Sequence, residues 1–113
     1  MSELIEVTIK NYLDGVLDVP VSLEIPKETS SAFVVFQITD RDKVDLINKV
    51  TVRLYSYGQS NYQAALLDEK VREAMENITD LNEVFSSKIG GGGANIDNTL
   101  KKYRYTCYYN LTY

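Results

Sequence analysis

The sequence predicts an α+β domain, with two helices packed on an antiparallel or mixed sheet of about four to five strands in the order α-β-β-β-α-β-β. Three observations lead there. Apolar residues recur at helical spacing in two segments, they alternate or run together in several others, and the strand-like segments follow one another without intervening helices. Consecutive strands of that kind favour antiparallel pairing. At 113 residues, 44% hydrophobic and 25% charged, the chain fits one domain with an ordinary core, read as residues 1–113.

Leu4, Ile5, Ile9, Tyr12 and Leu13 share one helical face, with Ser2 as cap, Glu3 and Glu6 at the positive end of the dipole, and Gly15 as a left-handed stop. This predicts a first helix over 3–14. Val19, Val21, Leu23 and Ile25 then alternate with polar residues between Pro20 and Pro26, a pattern that belongs on a sheet edge or ends soon after it begins. After a polar loop at 27–31, Ala32 to Thr39 is an almost unbroken apolar run, as in a strand covered on both faces. A turn is expected at Asp40-Arg-Asp-Lys43. Beyond it Val44, Leu46, Val50, Val52 and Leu54 share one face, and Asp45, Lys49, Thr51, Arg53, Tyr55 and Tyr57 the other, until Gly58.

Ser60-Asn-Tyr-Gln63 reads as a capping box that starts a second helix at 61. Ala64, Leu67, Val71, Ala74, Met75 and Ile78 form its buried stripe, with Asp68, Glu69, Arg72, Glu73 and Glu76 opposite. Val84 to Ile89 suggests a short strand that ends in Gly90-Gly-Gly-Gly93, read as a flexible tip spanning about 90–100 before a final strand to Tyr113. On that last strand Tyr103, Tyr105, Cys107, Tyr109, Leu111 and Tyr113 alternate with Arg104, Thr106, Tyr108, Asn110 and Thr112.

Composition narrows the chemistry. There is no His, so the commonest general base and zinc ligand are missing, and the one Cys can form neither an intrachain disulfide nor a thiolate cluster. No enzyme activity, metal or cofactor is expected. The net charge of −4 argues against adhesion to nucleic acid or anionic membrane by overall charge. The opening MSELIEVTIK lacks a secretion signal's apolar stretch, and no window is long enough to span a membrane, so a reducing cytosol is the expected address. Asn77-Ile-Thr and Asn110-Leu-Thr match the glycosylation pattern by chance in such a location.

The glycine run lacks the Gly-Lys-Ser/Thr of a phosphate cradle and reads as an arm that orders on a partner. Asp40, Asp42 and Asp45 lack the glycine and distal Glu of a calcium loop. Cys107, with no His to activate it, reads as a small core residue. Lys101, Lys102 and Arg104 form the dense basic cluster. Five of the nine tyrosines fall in the last eleven residues, on both faces of the strand, which suits a sheet covered by its core on one side and another chain on the other.

The amphipathic first helix, Asp18-Val-Pro-Val-Ser-Leu-Glu-Ile-Pro26, Phe33-Val-Val-Phe36 and Val50-Thr-Val-Arg-Leu-Tyr-Ser-Tyr57 come in order. Ala64-Ala-Leu-Leu-Asp-Glu-Lys-Val71, Lys102-Tyr-Arg-Tyr105 and Tyr108-Tyr-Asn-Leu-Thr-Tyr113 follow. Together, over nearly the whole chain, they resemble the tail-terminator (tail-completion) proteins of long-tailed bacteriophages and related prophages. The resemblance implies a noncatalytic subunit that assembles in the host cytoplasm and ends in the virion. There it forms a ring with copies of itself, commonly a hexamer, which caps the tail tube protein, docks head-tail connector proteins and surrounds the passing genome DNA. The glycine run departs from the more polar loop expected of the family. The residues matched to the assembly role are Arg53, Tyr55, Gly90, Gly91, Gly92, Gly93, Lys101, Lys102, Arg104 and Tyr108. A head-tail connector or other minor tail protein is the alternative in the same virion, and a small soluble regulatory binding module the alternative outside it.

Overall fold

The computed structural model describes residues 4–25, 27, 32–81, 84–97 and 102–113. Helix α1 (Ile5–Val16) buries Ile5, Ile9 and Leu13, one residue per turn along a single stripe. Leu4 is its N-cap and is exposed rather than part of the stripe; the expected cap Ser2 and the acidic Glu3 lie outside the described residues. Gly15 does not stop the helix. It lies within the last turn, and the chain leaves in extended conformation at Leu17.

The strands are β1 (Val21–Ser22), β2 (Phe33–Val44), β3 (Ile47–Gly58), β4 (Ser86–Asp97) and β5 (Lys102–Thr112), in the sheet order β1-β2-β3-β5-β4. The predicted element order therefore holds, as an α+β fold with one mixed sheet. β1 is shorter than its alternating pattern suggested: Leu23 and Ile25 are exposed, and Pro20 adjoins the paired residues, where a missing N–H restricts the ladder. Pro26 and residues 28–31 of the expected loop lie outside the described residues. β1 sits at the sheet edge as expected but runs parallel to β2, while every other pairing is antiparallel.

The β2–β3 hairpin differs from its prediction. Asp40 to Lys43 is strand, interrupted by a bulge between Thr39 and Asp42 with Asp40 at φ 52°. The turn is the two-residue Asp45-Leu46, with φ of 51° and 69°, and Val44 pairs with Ile47 across it. Leu46 thus stands exposed at the tip instead of on the core face of β3. Polarity placed the turn too early because four charged residues can also occupy an exposed, bulged strand.

Helix α2 (Asn61–Glu76) begins where the capping box indicated, with Ser60 Oγ accepting from the Gln63 backbone N–H at 3.1 Å. Gln63 Oε1 reaches back to the Gln59 N–H, one residue before the cap. A short 3-10 turn, Ile78–Asp80, follows and buries Ile78. Both helices share one core with Val34, Phe36, Val50, Val52, Leu54, Cys107, Tyr109 and Leu111, so they cover the same face of the sheet. The first half of β2 is covered on both faces: Phe33 and Val35 are buried with Tyr57 in a separate cluster on the side away from the helices.

The glycine run is not a hairpin tip. Gly90 to Gly93 lie inside β4, which continues to Asp97, and β4 pairs with β5 along this length, with a bulge between Ile89 and Gly91. Residues 98–100 of the expected arm lie outside the described residues. The physical reason for glycine here is close approach: a Cβ at Gly90 would meet the Tyr108 ring at 2.2 Å, and one at Gly92 the Thr106 carbonyl oxygen at 2.4 Å.

Candidate interaction surface

The register of the sheet brings four of the sequence-predicted residues together. Arg53 pairs with Tyr108 across β3 and β5, Tyr55 with Thr106, and Tyr57 with Arg104, all on the face away from the helices. The Arg53 guanidinium carbon lies 5.0 Å from the Tyr108 ring centroid, and that of Arg104 lies 5.2 Å from Tyr55 and 5.9 Å from Tyr57. Each distance is within cation–π range. Arg104 Nη1 also donates to the Tyr57 hydroxyl at 3.3 Å, and Tyr57 stacks on Phe33 at 4.5 Å between centroids. One end of this stripe is thereby anchored in buried aromatic packing, and the other ends in half-exposed Arg53 and Tyr108.

The same face carries exposed Lys49 and Lys88, at register positions beside Thr51 and Asn110. Thr51 Oγ1 donates to Asn110 Oδ1 at 2.9 Å, which fixes that rung. Gly90 and Gly91 lie against the Tyr108 ring, so two of the glycines belong to this surface; Gly92 faces the other side, toward Arg72, and a Cβ at Gly93 would stand in open space. Lys102 is the first residue of β5, paired with Asp97, and Lys101 lies outside the described residues.

Comparison with protein-family models and with curated proteins yields no match.

A second polar cluster escaped the sequence reading. Asp68, expected on the solvent side of α2, is buried at 5% exposure and accepts from Arg72 Nε at 2.7 Å. The signal was present in spacing, since Ala64, Asp68, Val71 and Met75 follow one helical stripe; its charge alone had assigned it outward. Burial pushes the Asp68 carboxyl above its ordinary range while the Arg72 hydrogen bond draws it back. Cys107 is fully buried, and burial, with the Asp68 charge beside it, pushes its thiol up to about 12. The thiol is therefore protonated at neutral pH, the condition of a packing residue and not of a nucleophile. Tyr109 is likewise pushed up to about 12 by burial, then by the neighbouring Cys107, and its hydroxyl donates to the Arg72 carbonyl at 3.3 Å.

A cleft of about 390 Å³ lies between the C-terminal ends of α1 and α2, lined by Tyr12, Lys70, Glu73 and Asp80 among others. Tyr12 spends its hydroxyl on the Ala74 carbonyl at 2.7 Å, which makes this cleft a seam between helices. No helix among the described residues is long and apolar enough to cross a membrane.

Proposed function

We propose that the protein is a noncatalytic structural subunit of a bacteriophage tail, the terminator that closes into a ring, halts tube growth and offers the surface on which the filled head docks. The observation that supports this most is the two-sidedness of the subunit. One sheet face displays Arg53, Arg104, Tyr55 and Tyr108, and the helix on the opposite face turns exposed Glu69, Glu73 and Glu76 outward. A cationic aromatic surface at the front and an acidic helix at the back suit a heterologous contact, front of one copy to back of the next. Such a contact closes into a ring when its rotation divides the circle. The hexamer, the contact with the tail tube protein and with connector proteins, the DNA in the lumen and the location in the virion all follow from this reading.

Electron microscopy of particles made without the protein tests it. A terminator's loss leaves overlong tails; tails of normal length that fail to join heads would assign the protein to the head-tail connector instead, and fully mature particles would end the virion reading. Purified protein added to tails should bind at one end only.

A further inference from the structure

β4 forms one border of the sheet, and no strand among the described residues pairs with its outer side. The opposite border is guarded. β1 pairs with Val34 and Val35, and the rest of β2 carries Asp40, Arg41, Asp42 and Lys43 together with a bulge, the devices by which sheets discourage edge-to-edge pairing. β4 has no charged residue from Ile89 to Ile96, and Gly91 to Asp97 keep regular register with β5. A border of this length and neutrality is a template for another strand.

We propose that the outer border of β4 pairs antiparallel with β4 of a second copy, about a twofold axis through Gly93. The sequence is self-complementary in that register. Gly93 pairs with Thr106 of β5, Ile89 with Tyr109 and Ile96 with Tyr103, so both isoleucines stand three rungs from Gly93, with the bulge at Gly90 taken up on one rung. Lys88 and Asp97, opposite Asn110 and Lys102, both stand four rungs away. Antiparallel pairing about Gly93 therefore sets Ile89 opposite Ile96 and Lys88 opposite Asp97 in register at each end. Apolar and opposite-charge cross-strand pairs stabilise a sheet, and like charges in those places would oppose it. Glycine meets glycine at the centre, where the backbones approach without side chains. The contact is isologous and doubles the sheet. Its axis runs normal to the sheet, so the Arg53–Tyr108 surfaces of both copies face one way and remain uncovered. The proposal thus stands independently of the tail reading.

The test uses the purified full chain alone. Light scattering over a wide range of concentrations should show a monomer–dimer equilibrium, and a monomer at every concentration overturns the proposal. Gly93→Glu and Gly93→Lys both place a side chain in open space in the monomer, so each variant should keep the wild-type circular dichroism and melting behaviour. Alone, each should raise the dimer dissociation constant about fivefold, because like charges then meet on the axis. Mixed, the two should form a heterodimer at least as tight as the wild-type dimer. Unaltered dimerisation of either variant, or no gain on mixing, removes the axis from Gly93. The exchange Lys88→Asp with Asp97→Lys gives the same readout without touching a glycine: Lys88→Asp alone weakens the dimer and the double exchange restores it. Failure to restore it overturns the register.

Discussion

Four consecutive glycines do different jobs according to what each faces. At Gly90 a methyl group would displace the Tyr108 ring, and since that ring is half exposed it can swing away at the expense of its contact with Arg53, about 0.5–1 kcal/mol. At Gly92 the obstacle is the Thr106 carbonyl and the Cys107 Cα, which cannot swing, so Gly92→Ala should cost about 1–3 kcal/mol. Gly93→Ala, with nothing within 4 Å of the new carbon, should be nearly neutral. Urea unfolding of the three variants gives this order, and in a Tyr108→Ala background the cost of Gly90→Ala should vanish while that of Gly92→Ala persists. A loop reading predicts three equal, small effects. Residue-scale titration supplies a second expectation. The Cys107 thiol has an ordinary value of 9.0 and sits near 12 in the fold, and Tyr109 moves from 10.0 to about 12. Between these limits the unfolded chain has released protons that the folded chain still holds, so stability must fall as pH rises, with a slope approaching about 1.4 kcal/mol per pH unit for each group. Denaturation followed from neutral pH into this window should show the loss beginning near pH 9.0 in the wild type and nearer 10.0 in Cys107→Ala.

Among the elements, α2 is held by hydroxyls from three neighbours. Tyr12 of α1 donates to the Ala74 carbonyl, Ser87 of β4 to that of Met75 at 2.8 Å, and Tyr109 of β5 to that of Arg72. Ala74 and Met75 lie in the last turn of α2, where carbonyls lack an i+4 partner within the helix, so those two bonds help satisfy its end, while the bond to Arg72, one turn earlier, docks the helix on the sheet. Tyr12→Phe, which keeps the ring and removes one donor, should cost about 1 kcal/mol by thermal or urea unfolding. The β2–β3 turn makes the opposite prediction. Leu46 holds φ 69° with 86% of its surface exposed, a conformation that costs a side chain roughly 1–2 kcal/mol, and Asp-Gly is the preferred pair for such a turn. Leu46→Gly should therefore stabilise the protein by about 0.5–1 kcal/mol, net of the entropy glycine adds to the unfolded chain. These elements mark what was readable from sequence. The helix at Ser60, the core stripe of β3 and the interior start of β2 declare themselves through capping and period, which are local. The turn at Asp45-Leu46, the burial of Asp68 and the strand through Gly90–Gly93 depend on partners distant in sequence, and local polarity or glycine content pointed elsewhere. For the interaction surface, alternation alone gave the shared face of Arg53 with Tyr55 and of Arg104 with Tyr108; that the two pairs meet required the β3–β5 register.

In the whole molecule the two faces of the sheet carry separable burdens. The face toward the helices holds the continuous core, and the other holds a small buried cluster of Phe33, Val35 and Tyr57 from which the Arg and Tyr side chains extend. Replacing Arg104 and Tyr108 together by Ala deletes one member of each cation–π pair, Arg104 from the Tyr55 and Tyr57 rings and Tyr108 from Arg53, and leaves every core residue in place. The expected loss of stability is about 1.5–3 kcal/mol, at 0.5–1 for each of the three contacts. A domain of this size tolerates that loss and stays folded. If this face binds the acidic back of α2 on a neighbouring copy, the double variant should stay folded by circular dichroism yet fail to complete tails, and reversing charge on the helix with Glu69→Lys and Glu73→Lys should fail in the same way. The two defects belong to opposite sides of one contact. A mixture of the two variants therefore should not regain a closed ring, because every subunit must offer both a front and a back. Normal tail completion by the Arg104→Ala, Tyr108→Ala variant would remove this surface from assembly, and its unfolding would show that the surface serves the subunit's own stability.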